Sequence, residues 1–165
     1  MAAGSTYTPI ATTTLGSAQA DVTFNSFSGY TDLVLVMNLG AGSAGVDIFC
    51  QVNADTASNY SNTRLTGDGT TASSSRNSNA SNMRFSDGGS PQTTANSVTI
   101  ANFMNYSNAT TYKTVINRAS NGNRGTDAYV NLWRGTSAIT SIKIYLSTGN
   151  ITSGSTFTLY GITAA

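Results

Sequence analysis

The chain has no histidine and no glutamate. Its seven acidic residues are all Asp, and only 9% of its residues are charged, against about 25% in an average soluble domain. General acid–base catalysis draws on side chains that titrate near working pH, His first and then Glu or Asp. Their scarcity argues against an enzyme, and no catalytic residue is assigned. A single cysteine, Cys50, excludes an intrachain disulfide, and without a His as base it is a poor nucleophile. Zinc and other transition metals lose their usual ligands for the same reason, so no metal or other cofactor is expected. Calcium would have only Asn53, Asp55 and Asp68 as oxygen donors, residues that read more simply as turn caps.

An excess of charge of either sign is missing too. The net charge is +1, and no two cations are sequence neighbours. A nucleic-acid partner needs a basic stripe to displace counterions from phosphates, so none is expected. Nor does any apolar run approach the ~20 residues of a membrane-spanning helix. The longest, Leu33-Val-Leu-Val-Met37, is the size of a strand. The opening Met1-Ala-Ala-Gly-Ser5 has neither a basic region nor an apolar stretch, so no secretory signal is read there, and synthesis in a cytoplasm is expected.

What the chain has in abundance is Ser, Thr and Asn, which make up 65 of its 165 residues. Its 39% hydrophobic content and low net charge fit a folded chain, not a disordered one. Strand patterns recur at Val22–Phe24, Asp32–Leu39, Val46–Asn53, Thr63–Thr66, Val98–Tyr106, Tyr112–Arg118, Ala128–Arg134, Ile139–Leu146 and Thr156–Ile162. Gly- and Asn-rich turns separate them, and no stretch keeps a helical period. The expected fold is therefore all-β: an antiparallel β-sandwich, specifically a jelly roll, with long polar loops. Residues 1–15 read as an N-terminal arm or first edge strand, and 16–165 as a single sandwich domain.

Alternation fixes a register inside that sandwich. Ile48, Cys50 and Val52 share one strand face, as do Ile142, Ile144 and Leu146, and the two sets should meet in the core. Both faces of Asp32–Leu39 are apolar through Met37, which predicts a central strand. By contrast, Asp55–Asn96 has few apolar anchors. It reads as long polar connections around one or two short strands, a length that suggests function or bracing by a partner.

Candidate contact residues follow from these patterns. Tyr7, Pro9, Ile10 and Leu15 are interspersed with Thr as in an added strand, so the arm and the polar Asp55–Asn96 region are expected to touch neighbouring subunits. Tyr60, Tyr106 and Tyr112 border Ser- and Asn-rich segments, a composition suited to contact with a receptor or glycan. Trp133 shares a strand face with Tyr129 and Asn131, opposite Val130 and Leu132, and reads as a packing residue.

Four runs add a resemblance: Thr23-Phe-Asn-Ser-Phe-Ser-Gly-Tyr-Thr-Asp-Leu-Val-Leu-Val36, Asn59-Tyr-Ser-Asn-Thr-Arg-Leu65, Thr111-Tyr-Lys-Thr-Val115 and Ser155-Thr-Phe-Thr-Leu-Tyr-Gly-Ile162. Together they resemble a group of virion structural proteins of tailed bacteriophages, often labelled minor structural or tail proteins. The resemblance runs from about Tyr7 to Ile162 and rests on packing and turn patterns. It implies a virion component whose partners are the major capsid protein or other virion proteins. The leading expectation is a non-enzymatic decoration or cement protein on the outer capsid surface, a homo-oligomer and most simply a trimer. The alternative is a tail or fibre module that binds a host-surface glycan or receptor.

Overall fold

The structure, a computed structural model, describes residues 6–163. Residues 1–5 of the expected arm lie outside the described residues, as do 164 and 165 at the far end. Twelve strands are found among the described residues: β1 (Tyr7–Thr14), β2 (Asp21–Asn25), β3 (Asp32–Leu39), β4 (Ile48–Val52), β5 (Tyr60–Gly67), β6 (Ala72–Ala80), β7 (Met83–Arg84), β8 (Ser97–Phe103), β9 (Lys113–Asn121), β10 (Gly125–Trp133), β11 (Ser141–Leu146) and β12 (Thr156–Ile162). They form an eight-stranded sheet ordered β1-β12-β3-β8-β9-β10-β5-β6 and a four-stranded sheet ordered β2-β11-β4-β7. Every named pairing is antiparallel. The chain is an all-β antiparallel sandwich.

From β2 onward the path crosses repeatedly between sheets. The small sheet holds β2, β4, β7 and β11, and the large one holds the strands between them. That path is consistent with a jelly roll in which β8, β9 and β10 together fill one strand position, while β12 and β1 extend the sheet beyond β3. The hydrophobic core lies between the sheets. On the small-sheet side, Ile144 sits opposite Cys50, Ile142 opposite Val52 and Leu146 opposite Ile48. This is the register read from alternation, and five of the six side chains are wholly buried, with Leu146 at 5% exposure. Leu33, Leu35, Met37 and Leu39 of β3 face them from the large sheet. β3 is central, flanked by β12 and β8.

A four-stranded sheet cannot cover an eight-stranded one. Much of the remainder is covered by the connection from β7 to β8, residues 85–96, laid over the inner faces of β9 and β10. Buried backbone groups must find partners, and here polar side chains supply them. The Asn117 amide donates to the Phe85 carbonyl at 2.7 Å. Asn121 donates to the carbonyls of Ser90 and Ala95, each at 3.0 Å. The Asp127 carboxylate accepts the backbone N–H groups of Asp87, Gly88 and Gly89 at 2.6, 3.0 and 2.7 Å. A Cβ on Gly89 would lie 2.5 Å from the Ala119 carbonyl oxygen, so only glycine lets the segment lie this close to β9.

The polar stretch Asp55–Asn96 thus departs from expectation. It holds three strands, and β6 is nine residues long with every side chain exposed except half-buried Ala80. Alternation could not reveal β6, because only Ala80 at its end meets the core and both faces of the rest are exposed. It is held by its pairing with β5, by Ala80 against the core and by the Arg134 guanidinium donating to the Asn79 side-chain oxygen at 3.0 Å. The N-terminal segment is an edge strand of its own sheet: β1 pairs with β12, and the Tyr7 ring meets Tyr160 edge-on at 6.2 Å.

Candidate functional site: an aliphatic docking face

The large sheet has a second face, turned away from the sandwich. Strand alternation that sends Ala101 and Phe103 of β8 inward sends Val98, Ile100 and Asn102 outward. The same rule turns out Ile116 and Arg118 of β9, Ala128 and Val130 of β10, and Thr63 and Leu65 of β5. The ladder registers then align two rows. One runs Ile100, Arg118, Ala128, Leu65, and the next runs Asn102, Ile116, Val130, Thr63. Four strands at about 4.8 Å spacing give rows about 14 Å long. The surface is concave, with a volume of about 710 Å³.

This trough is aliphatic and open to solvent. Leu65 is 63% exposed, Val98 50%, Val130 47%, and Ile100 and Ile116 44% each. Scattered exposed apolar residues are ordinary, whereas a contiguous group marks a place where something else binds. Arg118 stands at its centre, with Ile100 and Ala128 as its cross-strand neighbours. Its guanidinium makes no hydrogen bond or ion pair with any described residue.

Beneath the trough, the inward cations of β5 and β9, and Arg84 of β7 in the facing sheet, are engaged. Arg64 of β5 points inward and pairs with Asp87. Arg84 pairs with Asp47 at 2.7 Å and with Asp87 at 3.0 Å. Tyr129 lies beside them, and burial pushes its phenol pKa up. Its hydroxyl is buried without a hydrogen-bond partner among the described residues. Lys113 is also buried, with Nζ donating to the carbonyls of Thr111 and Thr136 at 2.6 and 3.1 Å. Burial lowers its pKa. The Arg64–Asp87 pair, with the bonds of Asn117, Asn121 and Asp127, ties β5, β9 and β10 to the covering segment and leaves the outer trough on a braced platform.

The tyrosines read as receptor contacts do not assemble into a site. Tyr60 is wholly buried, with its hydroxyl donating to the Asp55 carbonyl at 2.9 Å. Tyr106 is 2% exposed and packs edge-on against Phe27 at 5.7 Å. Only Tyr112, at 53%, meets solvent. The physical reason is that a Tyr at a strand end gains more by burying its ring than by exposing it; Tyr60 gives its hydroxyl a local partner, while the Tyr106 hydroxyl is buried without one among the described residues. Among the arm residues, Tyr7 and Pro9 are exposed, Ile10 is half-buried against the core, and Leu15 is buried within the domain. Leu15 therefore serves its own fold and offers no contact to a neighbour.

The oxygen donors weighed for calcium are occupied as turn caps. Asn53 accepts from the Thr140 N–H at 2.7 Å and donates to the Ala138 carbonyl at 2.8 Å. Asp68 accepts the N–H groups of Thr70 and Thr71. Those backbone bonds hold its carboxyl below the usual range. Among the described residues no group of three or more His, Cys, Asp or Glu is placed to hold a metal ion.

Comparison with protein-family models, curated proteins and solved structures finds no match to this chain. The trough was missed in the sequence, although a signal for it exists. In Ser97-Val-Thr-Ile-Ala-Asn-Phe103 apolar residues occupy both phases of the alternation, as do Ile116 beside Val115 and Val130 beside Tyr129. A sandwich strand with one face on solvent needs only one apolar phase.

Proposed function

We propose that the chain is a non-enzymatic structural protein of a tailed-bacteriophage virion that decorates the outside of the capsid. The observation that carries this reading is the aliphatic trough on β8, β9, β10 and β5. An exposed hollow of five large aliphatic side chains, set on a braced sheet, suits permanent attachment to another protein surface. The remaining surface supports the same reading. It is dominated by Ser, Thr and Asn and carries few charge pairs, so attachment would depend little on salt. The resemblance of the four sequence runs to virion structural proteins supplies the setting. The major capsid protein is the proposed partner, with trimers of the chain on local threefold positions.

The tail-fibre alternative calls for exposed aromatic residues grouped at one end, and Tyr112 alone of the three tyrosines meets that need. Imaging of intact particles with gold-labelled antibody against the chain tests the proposal. The expected result is many regularly placed copies on the shell. Labelling confined to a tail tip, or absence from purified particles, overturns it.

A further inference from the structure

We propose that the trough receives a segment of a partner polypeptide in which one carboxylate is flanked on both sides by aliphatic side chains, the carboxylate pairing with Arg118. The inference rests on the reading of this face as a docking surface and states what the partner must present. Closing an apolar surface over the trough takes Arg118 out of water. An isolated charge is costly to desolvate unless it is paired and hydrogen-bonded. Nothing in the trough supplies that pairing, since no Asp is among its lining residues and Arg118 has no partner of its own among the described residues. The occupant must therefore bring the anion. A guanidinium forks onto a carboxylate through two parallel N–H···O bonds, which fixes orientation as well as adding energy.

The position of the charge narrows the class further. Arg118 lies inside the aliphatic surface, with Ile100 on one side and Ala128 and Leu65 on the other. A fatty acid or lipid carries its anion at one end of its apolar part, so it would leave one flank of the trough unfilled. A polypeptide with a central acid and aliphatic neighbours fills both. A second copy docked face to face would bring a trough with no acid among its lining residues and so leave Arg118 unpaired. A sugar would find no aromatic ring among the residues lining the hollow other than inward-facing Tyr129.

The test is an NMR titration of the isotope-labelled full chain. The probes are blocked peptides acetyl-Val-Thr-Glu-Thr-Val-amide and its Gln counterpart, with decanoate as the lipid-like comparison. In an extended peptide the two Val and the Glu share one face. The expected result is that amide shifts on addition of the Glu peptide are confined to β8, β9, β10 and β5. The Gln peptide should bind about tenfold more weakly, the scale of one hydrogen bond to a charged group. In Arg118→Gln, an exposed change that should leave spectral dispersion intact, the two peptides should bind alike. Equal binding of both peptides to the wild type, no binding of either, preference for decanoate, or self-association through the trough would each overturn the proposal. Leu65→Ser separates the two levels of argument. If it strips the protein from particles while the peptides fail to discriminate, the docking reading stands and the carboxylate inference falls.

Discussion

The indole N–H of Trp133 donates to the Asp55 carboxylate at 2.7 Å, tying the end of β10 to the turn that follows β4. The same carboxylate accepts the Asn59 amide and the Ala57 N–H, each at 2.9 Å. Burial alone would raise the Asp55 pKa, but the bonds from Trp133, Asn59 and Ala57 outweigh it and hold the carboxyl below the usual range. Trp133 is the chain's only tryptophan, so its fluorescence reports on this contact without labelling.

An acid titration follows from that sign. A carboxyl whose pKa is depressed in the folded state contributes stability above its unfolded pKa and loses it as pH falls through the folded value. Trp133 emission should hold steady through pH 5 and change with a midpoint below the ~3.9 of a free Asp. Asp55→Asn should remove that transition and cost about 1–2 kcal/mol in urea unfolding, the scale of a hydrogen bond to a charged group. A wild-type midpoint above 4 would contradict the assignment.

Asp127 should be the most sensitive acidic residue in the fold. It is 1% exposed and accepts three backbone N–H groups as well as the Thr66 hydroxyl. Asp127→Ala leaves those donors buried without an acceptor and frees the covering segment from β10. A loss of about 3 kcal/mol or more is expected in urea unfolding. A loss under 1 kcal/mol would show that the segment is held mainly by its asparagine contacts.

Cys50 should resist thiol reagents in the native protein. It is wholly buried, and burial pushes its thiol pKa well above the ordinary value, so the reactive thiolate is scarce even in mild alkali. Labelling should become rapid only in denaturant. Cys50→Ser should cost on the order of 1–3 kcal/mol through a poorly satisfied hydroxyl. Rapid labelling of the folded chain would place the residue at the surface and the β4–β11 register in error.

Removing residues 2–14 should expose the β12 edge that β1 covers. Leu15 remains in place to fill the core, so the β signal in circular dichroism should persist. An uncovered edge with few charges invites pairing with another chain, and the truncated protein should elute as larger species in gel filtration. Elution identical to that of the full chain would show that β12 is protected by other means.

These contrasts indicate how much of the fold was legible. Ile48, Cys50 and Val52 could be placed against Ile142, Ile144 and Leu146, because one face of each strand is buried and the other is not. β6 was invisible for the opposite reason: both its faces meet water, so its residues bear no periodic mark. Asp127 lies between Gly125 and the Ala128–Arg134 strand pattern, where nothing local marks it. Its partners at 87–89 lie about forty positions away, beyond the reach of local pattern. The trough was hidden differently. Leu65, Ile100 and Val130 were counted as strand formers, and only the assembled ladder shows that they line up on the face the core leaves open.

The pairing of β1 with β12 places Tyr7 directly opposite Ile162. Polypeptide arriving at one and departing from the other would pass through a single corner of the sandwich. A domain with that layout can be grafted into a surface loop of a host protein with little stretching of the host. It can equally be reopened at an exposed turn such as Gly67-Asp-Gly69 once its flanks are joined by a short linker. In a circular permutant of this kind β5 and β6 would become the ends of the chain, while β8, β9 and β10 stayed contiguous.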